Sequence, residues 1–286
     1  MSEIRNVSDT ARWVAVYRAM ETRRPDALFH DPFAAKLAGE KGEAIVATIP
    51  RGRQMAWAMI VRTKVFDEVI LERVRSGNVD VVLNLAAGLD ARPWRLTELP
   101  PTLEWIDVDL PGILDYKLDT LASEKTVCSY DAIRLDLTDG AKRRALFEQI
   151  GRERKRVLIV TEGLLIYLSE AQVGELARDL HEPSSFQWWL IDLISQRLFK
   201  MLSRQFGKQL AAGNAAFQFA PAASTKFFEP FGWRELDFRS SLDAAQRLKR
   251  EMGGMWFWRL LSKILSSKQR MEETRRMSGC VVLERA

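Results

Sequence analysis

The spacing of apolar residues divides the chain at about residue 79. Residues 1–78 carry apolar positions at helical intervals and are predicted to be helical throughout, without a strand. After this point, short apolar runs alternate with amphipathic segments, which is typical of a parallel sheet with helices on both faces. The predicted strands are 79–85, 104–109, 127–130, 156–161, 186–193, 232–237 and 280–284. The predicted helices are 111–123, 141–150, 169–181 and 196–213, with more between 242 and 277.

The most informative segment of the chain runs from Asp80 to Lys117. A strand pattern at 81–85 is followed at once by small residues ending in Gly88, and a second predicted strand ends in Asp109. In a parallel sheet, small residues after one strand let a ligand approach the backbone. An acid at the end of the neighbouring strand can then reach ribose hydroxyls. The pattern therefore predicts a nucleoside-containing cofactor bound across two strand ends.

The turn at 86–91 distinguishes between two kinds of cofactor. A dinucleotide needs a glycine-rich turn, G-x-G-x-x-G, because the backbone contacts a pyrophosphate. Here the turn reads AAGLDA, which has one glycine and places the carboxylate of Asp90 where an anion would arrive. A cationic nucleoside without phosphate, such as S-adenosylmethionine, tolerates that carboxylate and is the predicted cofactor.

Several further segments extend this pattern along most of the chain. The two longest are VVLNLAAGLDARPWRL and WIDVDLPGILDYK. The others are VSDTARWVAVYRAME at 7–21, DALFHDPFA at 26–34, RTKVFD at 62–67, RLDLTD at 134–139, VTEGLLIYL at 160–168 and FFEPFGWRE at 227–235. In this order they resemble the leucine carboxyl methyltransferase family and its bacterial relatives, which are S-adenosylmethionine-dependent O-methyltransferases. Residues 196–226 and 240–279 carry no segment that matches.

The resemblance implies cofactor-binding roles for residues of the first two strand ends. Arg62 would bind the carboxylate of the methionine moiety with its planar guanidinium. Gly88 would permit close approach of the cofactor, and Asp109 would accept hydrogen bonds from both ribose hydroxyls. Ala86 stands where many relatives carry glycine, and its methyl group is expected to shift the cofactor slightly.

The resemblance also implies roles for residues at the later strand ends. Asp136 and the backbone of Leu137 would bind the adenine edge. Glu162 would lie beside the methionine amino group or the substrate entrance. Tyr167 would form a wall of the reaction chamber, so Glu162 and Tyr167 are the candidate catalytic residues. Asp90 and Arg92 are expected to cap and brace the first helix of the core, without contacting ligand.

The resemblance and the pattern together predict one α/β domain over residues 1–286. Its fold class is a doubly wound, mostly parallel seven-stranded sheet with an N-terminal helical extension and an inserted helical lid. The predicted parts are a helical cap at 1–78, a cofactor-binding core at 79–195, a lid or substrate insertion at 196–226, and the rest of the sheet with inserted helices at 227–286. In 196–226, apolar side chains alternate with cations, which suits an acceptor with an apolar body and an anionic end.

Composition narrows the function classes. The chain is 47% hydrophobic and 28% charged, as in ordinary soluble proteins, and its net charge of +5 does not require nucleic acid. Two cysteines and two histidines have no spacing for a metal site or disulfide framework. We expect no metal, no targeting segment, no integral membrane segment and a cytoplasmic location. The sequence does not define the oligomeric state.

The predicted reaction is methylation of a carboxylate or phenolate oxygen on a small molecule or peptide. A carboxylate is already ionised at neutral pH, so no strong base is needed. Two alternatives remain open at this stage. One is a nicotinamide-dependent dehydrogenase, which also places an acid about twenty residues after the turn. The other is a non-catalytic cofactor-binding protein held at a membrane surface by the amphipathic stripe at 254–268.

Overall fold

The computed structural model describes residues 8–49, 52–153, 156–212, 215–254 and 267–286. The α-helices are α1 (Ser8–Thr22), α2 (Ala34–Thr48), α3 (Ala56–Arg75), α4 (Arg92–Arg95), α5 (Pro111–Thr120), α6 (Gly140–Glu153), α7 (Glu170–His181), α8 (Gln196–Ala212), α9 (Ser241–Arg247) and α10 (Lys268–Arg275). The strands are β1 (Val81–Leu85), β2 (Glu104–Asp109), β3 (Ser129–Arg134), β4 (Val157–Thr161), β5 (Phe186–Ile194), β6 (Trp233–Ser240) and β7 (Ser278–Arg285). Short 3₁₀ helices span Gly52–Met55, Leu165–Tyr167 and Ser224–Phe231.

The seven strands form one sheet in the order β3-β2-β1-β4-β5-β7-β6. β1 to β5 are parallel, whereas β7 runs antiparallel to both β5 and β6. Every residue of β1 and β4 is buried, as expected for central strands covered on both faces. The strand order reverses between β1 and β4, which is where open α/β sheets bind ligands outside the carboxyl ends of the strands.

Helices cover both faces of the sheet and one further layer closes its carboxyl edge. Residues of α6 and α7 pack on one face, and residues of α3 and α9 pack on the other. A third cluster joins α1 and α2 to Leu89, Ala91 and Trp94 in the segment that follows β1. The N-terminal helices therefore lie over the turn that the sequence singles out.

The structure confirms the predicted fold class, a mostly parallel seven-stranded α/β sheet with an N-terminal helical extension. The third strand was predicted at 127–130, which is wrong, because the strand is Ser129–Arg134. The apolar pair Val127 and Cys128 precedes it, and the Val127 N–H donates to Pro93 O at 2.7 Å instead of joining the sheet. β3 is an edge strand whose partly exposed residues give only a weak apolar signal.

Within the described ranges, no helix is both long enough and apolar enough to span a membrane. The predicted amphipathic stripe at 254–268 falls largely on 255–266, which lies outside the described residues.

Candidate active site

A cavity of about 450 Å³ opens at the carboxyl edge of the sheet. It lies beneath α1 and extends from the end of β2 to α8. All eight residues that the sequence proposes for the site line this cavity: Arg62, Ala86, Gly88, Asp109, Asp136, Leu137, Glu162 and Tyr167. The fold thus brings together residues that are spread over more than a hundred positions of the chain.

The turn after β1 is held by the carboxylate at the end of β2. Asp109 Oδ2 accepts the Gly88 N–H at 2.6 Å, and Oδ1 accepts the Leu110 N–H at 2.6 Å. Gly88 has a φ of 53°, and a Cβ there would make a tight contact of 3.1 Å with the Ala11 Cβ, so glycine is favoured on both counts. Burial raises the pKa of Asp109, although these two backbone hydrogen bonds oppose the shift.

Ala86 adopts a left-handed conformation in the same turn, with a φ of 52°. A residue with a Cβ is disfavoured there by steric contact with its own backbone. The expected effect of Ala86 was only an added methyl group near the cofactor. The structure shows a second consequence, which is backbone strain at the first residue after β1.

Asp136 and Leu137 follow β3 on the next strand end. Asp136 Oδ1 accepts the Thr138 N–H at 2.9 Å and the Thr138 hydroxyl at 2.7 Å, which fixes the start of the loop before α6. The Leu137 carbonyl accepts a hydrogen bond from Arg143 Nη1 at 2.7 Å. This short loop therefore presents a carboxylate and a main-chain segment to the cavity in a defined conformation.

Arg62 reaches the cavity from α3 and lies between two carboxylates. Its Nε donates to Glu162 Oε1 at 3.0 Å, and its Nη1 donates to Asp192 Oδ2 at 3.0 Å. Burial alone would lower the pKa of Arg62, but Asp192 and Glu162 raise it above its usual range. Asp192 also accepts the Gly163 N–H at 2.6 Å, and a Cβ at Gly163 would crowd the guanidinium at 3.2 Å.

Glu162 is held from the other side by Arg92. The Arg92 side chain is 2% exposed and contacts Glu162 at 2.8 Å, Asp67 at 2.7 Å and Asp90 at 2.7 Å. Burial raises the pKa of Asp90, but Arg92 and Arg95 lower it by more, to about 2. Asp90 also accepts the Arg92 N–H at 2.9 Å, but the N-cap residue of α4 is Ala91, which makes no side-chain cap hydrogen bond, so Asp90 is not the helix cap that the sequence predicts. Asp90 and Arg92 both line the cavity as well.

Sequence reasoning missed the ion pairs that extend this network below the cavity. Arg95 binds both carboxylate oxygens of Asp67 at 2.8 Å. Arg18 of α1 pairs with Asp31 at 2.8 Å and donates to the Leu89 carbonyl, which ties α1 to the turn after β1. The only sequence signal for these residues is their position inside the segments that carry the family resemblance.

A second buried network supports the turn from within the sheet. Asp107 and Lys117 are fully buried, and Lys117 Nζ lies 2.6 Å from Asp107 Oδ2. Asp107 also accepts hydrogen bonds from the side chains of Asn84, Trp105 and Tyr130. Lys117 donates in addition to the Asp90 carbonyl at 3.2 Å, so the pair connects β2 and α5 to the turn.

The far end of the cavity is apolar. Tyr167 and Phe217 lie there with ring centroids 5.7 Å apart, and Trp13 and Leu202 complete the wall. Burial raises the pKa of Tyr167, and a hydrogen bond with Thr10 opposes the shift. The described α8 cations Arg197, Lys200 and Arg204 were expected to be part of this pocket. They are exposed and lie outside its lining. In the ranges that the structure describes, His, Cys, Asp and Glu nowhere form a group able to hold a metal ion.

Comparison with solved structures supports the fold. A duf574 family protein from Streptomyces avermitilis superposes with a TM-score of 0.63 at 12% identity, covering 97% of each chain. An inferred methyltransferase from Thermobifida fusca gives a TM-score of 0.57 at 14% identity, covering 88% of this chain and 92% of its own. Likeness at such low identity concerns the fold alone.

Comparison of sequences assigns the family. A protein of Parafrankia sp., named as an inferred S-adenosyl-L-methionine-dependent methyltransferase, is 35% identical over 189 residues, or 63% of this chain and 60% of the relative. A relative with the same kind of name from Streptomyces coelicolor is 33% identical over 187 residues, or 62% and 65%. The match thus spans less than two thirds of these relatives' length. The family model described as leucine carboxyl methyltransferase matches residues 11–181, which is more than half of the chain. The chain therefore belongs to the leucine carboxyl methyltransferase family.

Proposed function

We propose that the protein is an S-adenosylmethionine-dependent methyltransferase that acts on a carboxylate or phenolate oxygen of a small molecule or peptide. The observation that carries the proposal is the joint position of the turn after β1, Asp109 and Asp136 around one cavity. These are three neighbouring strand ends. Together they would provide a turn that the cofactor can approach closely, a carboxylate for the ribose and a carboxylate for the adenine edge. The names of the relatives support the same activity and favour it over a nicotinamide-dependent dehydrogenase.

The hydrogen-bonding capacity of Asp109 fits a ribose. A carboxylate offers about four acceptor positions, two on each oxygen. In the structure each oxygen accepts one backbone N–H, from Gly88 and from Leu110. One acceptor position therefore remains on each oxygen, which matches the two neighbouring hydroxyls of a ribose. Asp136 and Leu137 would then bind the adenine edge from the adjacent strand end.

The charges of the cavity fit the methionine end of the cofactor. Among the described lining residues, there are five carboxylates and four guanidiniums, an excess of one negative charge. Bound S-adenosylmethionine has a zwitterionic amino-acid group and a sulfonium, so its net charge is positive. Arg62 and Glu162 lie side by side and would bind the carboxylate and the amino group respectively. The excess negative charge would favour the sulfonium.

The cofactor supplies a methyl group bonded to a positively charged sulfur. The residues of this chain would bind the acceptor with its ionised oxygen in line with that methyl group, and would exclude water from the reaction. Positioning contributes much of the rate in such a transfer, and desolvation helps because opposite charges neutralise in the transition state. Glu162 is held between Arg62 and Arg92, which suits it to binding and orienting. Tyr167 would be a wall of the reaction chamber.

The proposal is tested by calorimetric titration of the purified protein with S-adenosylmethionine and S-adenosylhomocysteine, and with NADH as a control. We expect both adenosyl compounds to bind with one site per chain and NADH to give no heat. Transfer of a radiolabelled methyl group to a panel of carboxylates and phenols then tests the acceptor chemistry. Binding of NADH in preference to the adenosyl compounds would refute the proposal.

A further inference from the structure

One wall of the cavity is built from aromatic side chains. Trp13 of α1, Tyr167 of the 3₁₀ helix and Phe217 are all half-buried and line the cavity. All three pack against one small buried cluster made of Ile45, Ile49 and Ala215. This end of the cavity therefore has its own support, separate from the sheet.

Hydrogen bonds hold the segment around Phe217 against the 3₁₀ helix that carries Tyr167. The Gln218 N–H donates to the Ile166 carbonyl at 2.7 Å, and the Phe219 N–H donates to the same oxygen at 3.2 Å. The Gln218 side chain donates to the Tyr167 carbonyl at 2.7 Å. Phe219 is 2% exposed and anchors the segment in the core. The Phe217 ring lies beside Tyr167 at an interplanar angle of 44°.

The cations that line the described cavity all have carboxylate partners near the sheet. Arg92 and Arg95 bind Asp67, and Arg18 binds Asp31. Arg62 lies between Glu162 and Asp192, and the proposed function uses it for the cofactor. Each cation of the described lining is thus already paired, including Arg62, which interacts electrostatically with Tyr167, so a second anionic group on the acceptor would have to compete with a carboxylate. Affinity at this end must come from apolar and ring contacts.

We infer that the acceptor is a planar aromatic molecule that carries its ionised oxygen on or next to the ring, as in an aromatic carboxylate or an acidic phenol. This inference rests on the proposed function and specifies its substrate class. The ring would pack among Trp13, Tyr167 and Phe217. The acceptor oxygen forms a bond to the methyl carbon while the carbon–sulfur bond breaks. The electron pair of the broken bond stays on sulfur, which becomes a neutral thioether. The product is a methyl ester or ether, and no proton transfer is needed because the oxygen is already ionised.

The test compares two probes with the same carbon skeleton, the planar aromatic 2-naphthoate and its saturated, non-planar analogue decahydro-2-naphthoate. Each is titrated by calorimetry into the protein saturated with S-adenosylhomocysteine. We expect 2-naphthoate to bind about threefold to tenfold more tightly, which is the usual contribution of aromatic pairs beyond area burial. Phe217→Leu should reduce this difference, because only Trp13 and Tyr167 then remain to contact the ring, while the affinity for S-adenosylhomocysteine stays unchanged. Phe217→Tyr should retain it.

Met201→Leu is the matched control, because Met201 lies on α8 with 52% of its surface exposed and outside the cavity lining. Equal affinity for the two probes, or a preference that is as large in Phe217→Leu as in the wild type, would overturn the inference. Because the readout is binding, it does not depend on which acceptor is turned over. Failure of the proposed function would be seen earlier and separately, as the absence of S-adenosylhomocysteine binding.

Discussion

Asp109→Ala tests the centre of the proposed cofactor site. From the sequence alone, a carboxylate at a strand end is not part of the core, and its loss is not expected to affect the fold. In the structure, however, this carboxylate accepts two backbone N–H groups at 2.6 Å. Hydrogen bonds to a charged group contribute about 1.5–3 kcal/mol each, and water in the cavity recovers part of the loss. We expect the free energy of unfolding to fall by about 1–3 kcal/mol.

The same substitution removes the two acceptor positions assigned to the ribose hydroxyls. Losing both should weaken cofactor binding by about 2–4 kcal/mol, which raises the Kd about 30-fold to 1000-fold. Calorimetry with S-adenosylhomocysteine measures the affinity, and urea denaturation measures stability on the same sample. Asp115→Ala is the control, because Asp115 is a half-exposed acid on α5 that pairs with Arg134 at the surface. Reduced stability with wild-type affinity would show that Asp109 only holds the turn.

The raised pKa of Asp109 adds a pH dependence with opposite signs for binding and for folding. Protonation removes the charged acceptor, so cofactor affinity should fall on acidification at a higher pH than an ordinary aspartate would produce. For folding, a pKa raised above the unfolded value means that the part of the stability that depends on protonation of Asp109 is full below the unfolded pKa. It is lost as pH rises through the folded pKa. Both slopes should be absent in Asp109→Ala; their persistence would assign them to another group.

Three further substitutions test the surroundings of the site. Arg62→Lys should lower cofactor affinity about tenfold by calorimetry, because an ammonium cannot replace the planar contacts to the cofactor and Asp192; wild-type affinity would show that only the charge matters. Ala86→Gly should raise the free energy of unfolding by about 0.5–1 kcal/mol in urea by relieving the left-handed φ, and a loss of stability would contradict this. Lys117→Met should cost about 3–5 kcal/mol by the same assay, because it leaves the buried Asp107 carboxylate without its cation; a change below 1 kcal/mol would contradict this.

The family, the fold class and the residues that line the cavity at the strand ends were predictable from sequence because their signals are local. A buried strand, a turn of small residues and a strand-end acid follow one another within 81–109. Parallel strands with right-handed crossovers then bring the carboxyl ends together at one edge. The third strand was placed wrongly because the local apolar signal lies before the strand and not within it. Cys128 is buried and Val127 is partly buried before the strand begins, and an edge strand needs few apolar residues of its own.

The amino-acid order by itself determined which strands form the sheet and which side chains stand at their ends. Only the tertiary structure decided how those side chains are paired. Arg62 and Asp192 are 130 positions apart, and their contact depends on how α3 packs against the sheet. The aromatic end of the cavity likewise depends on where α1 and the segment around Phe217 meet. Helical periodicity shows that a face is apolar, but only packing decides whether that face joins the core or lines a cavity.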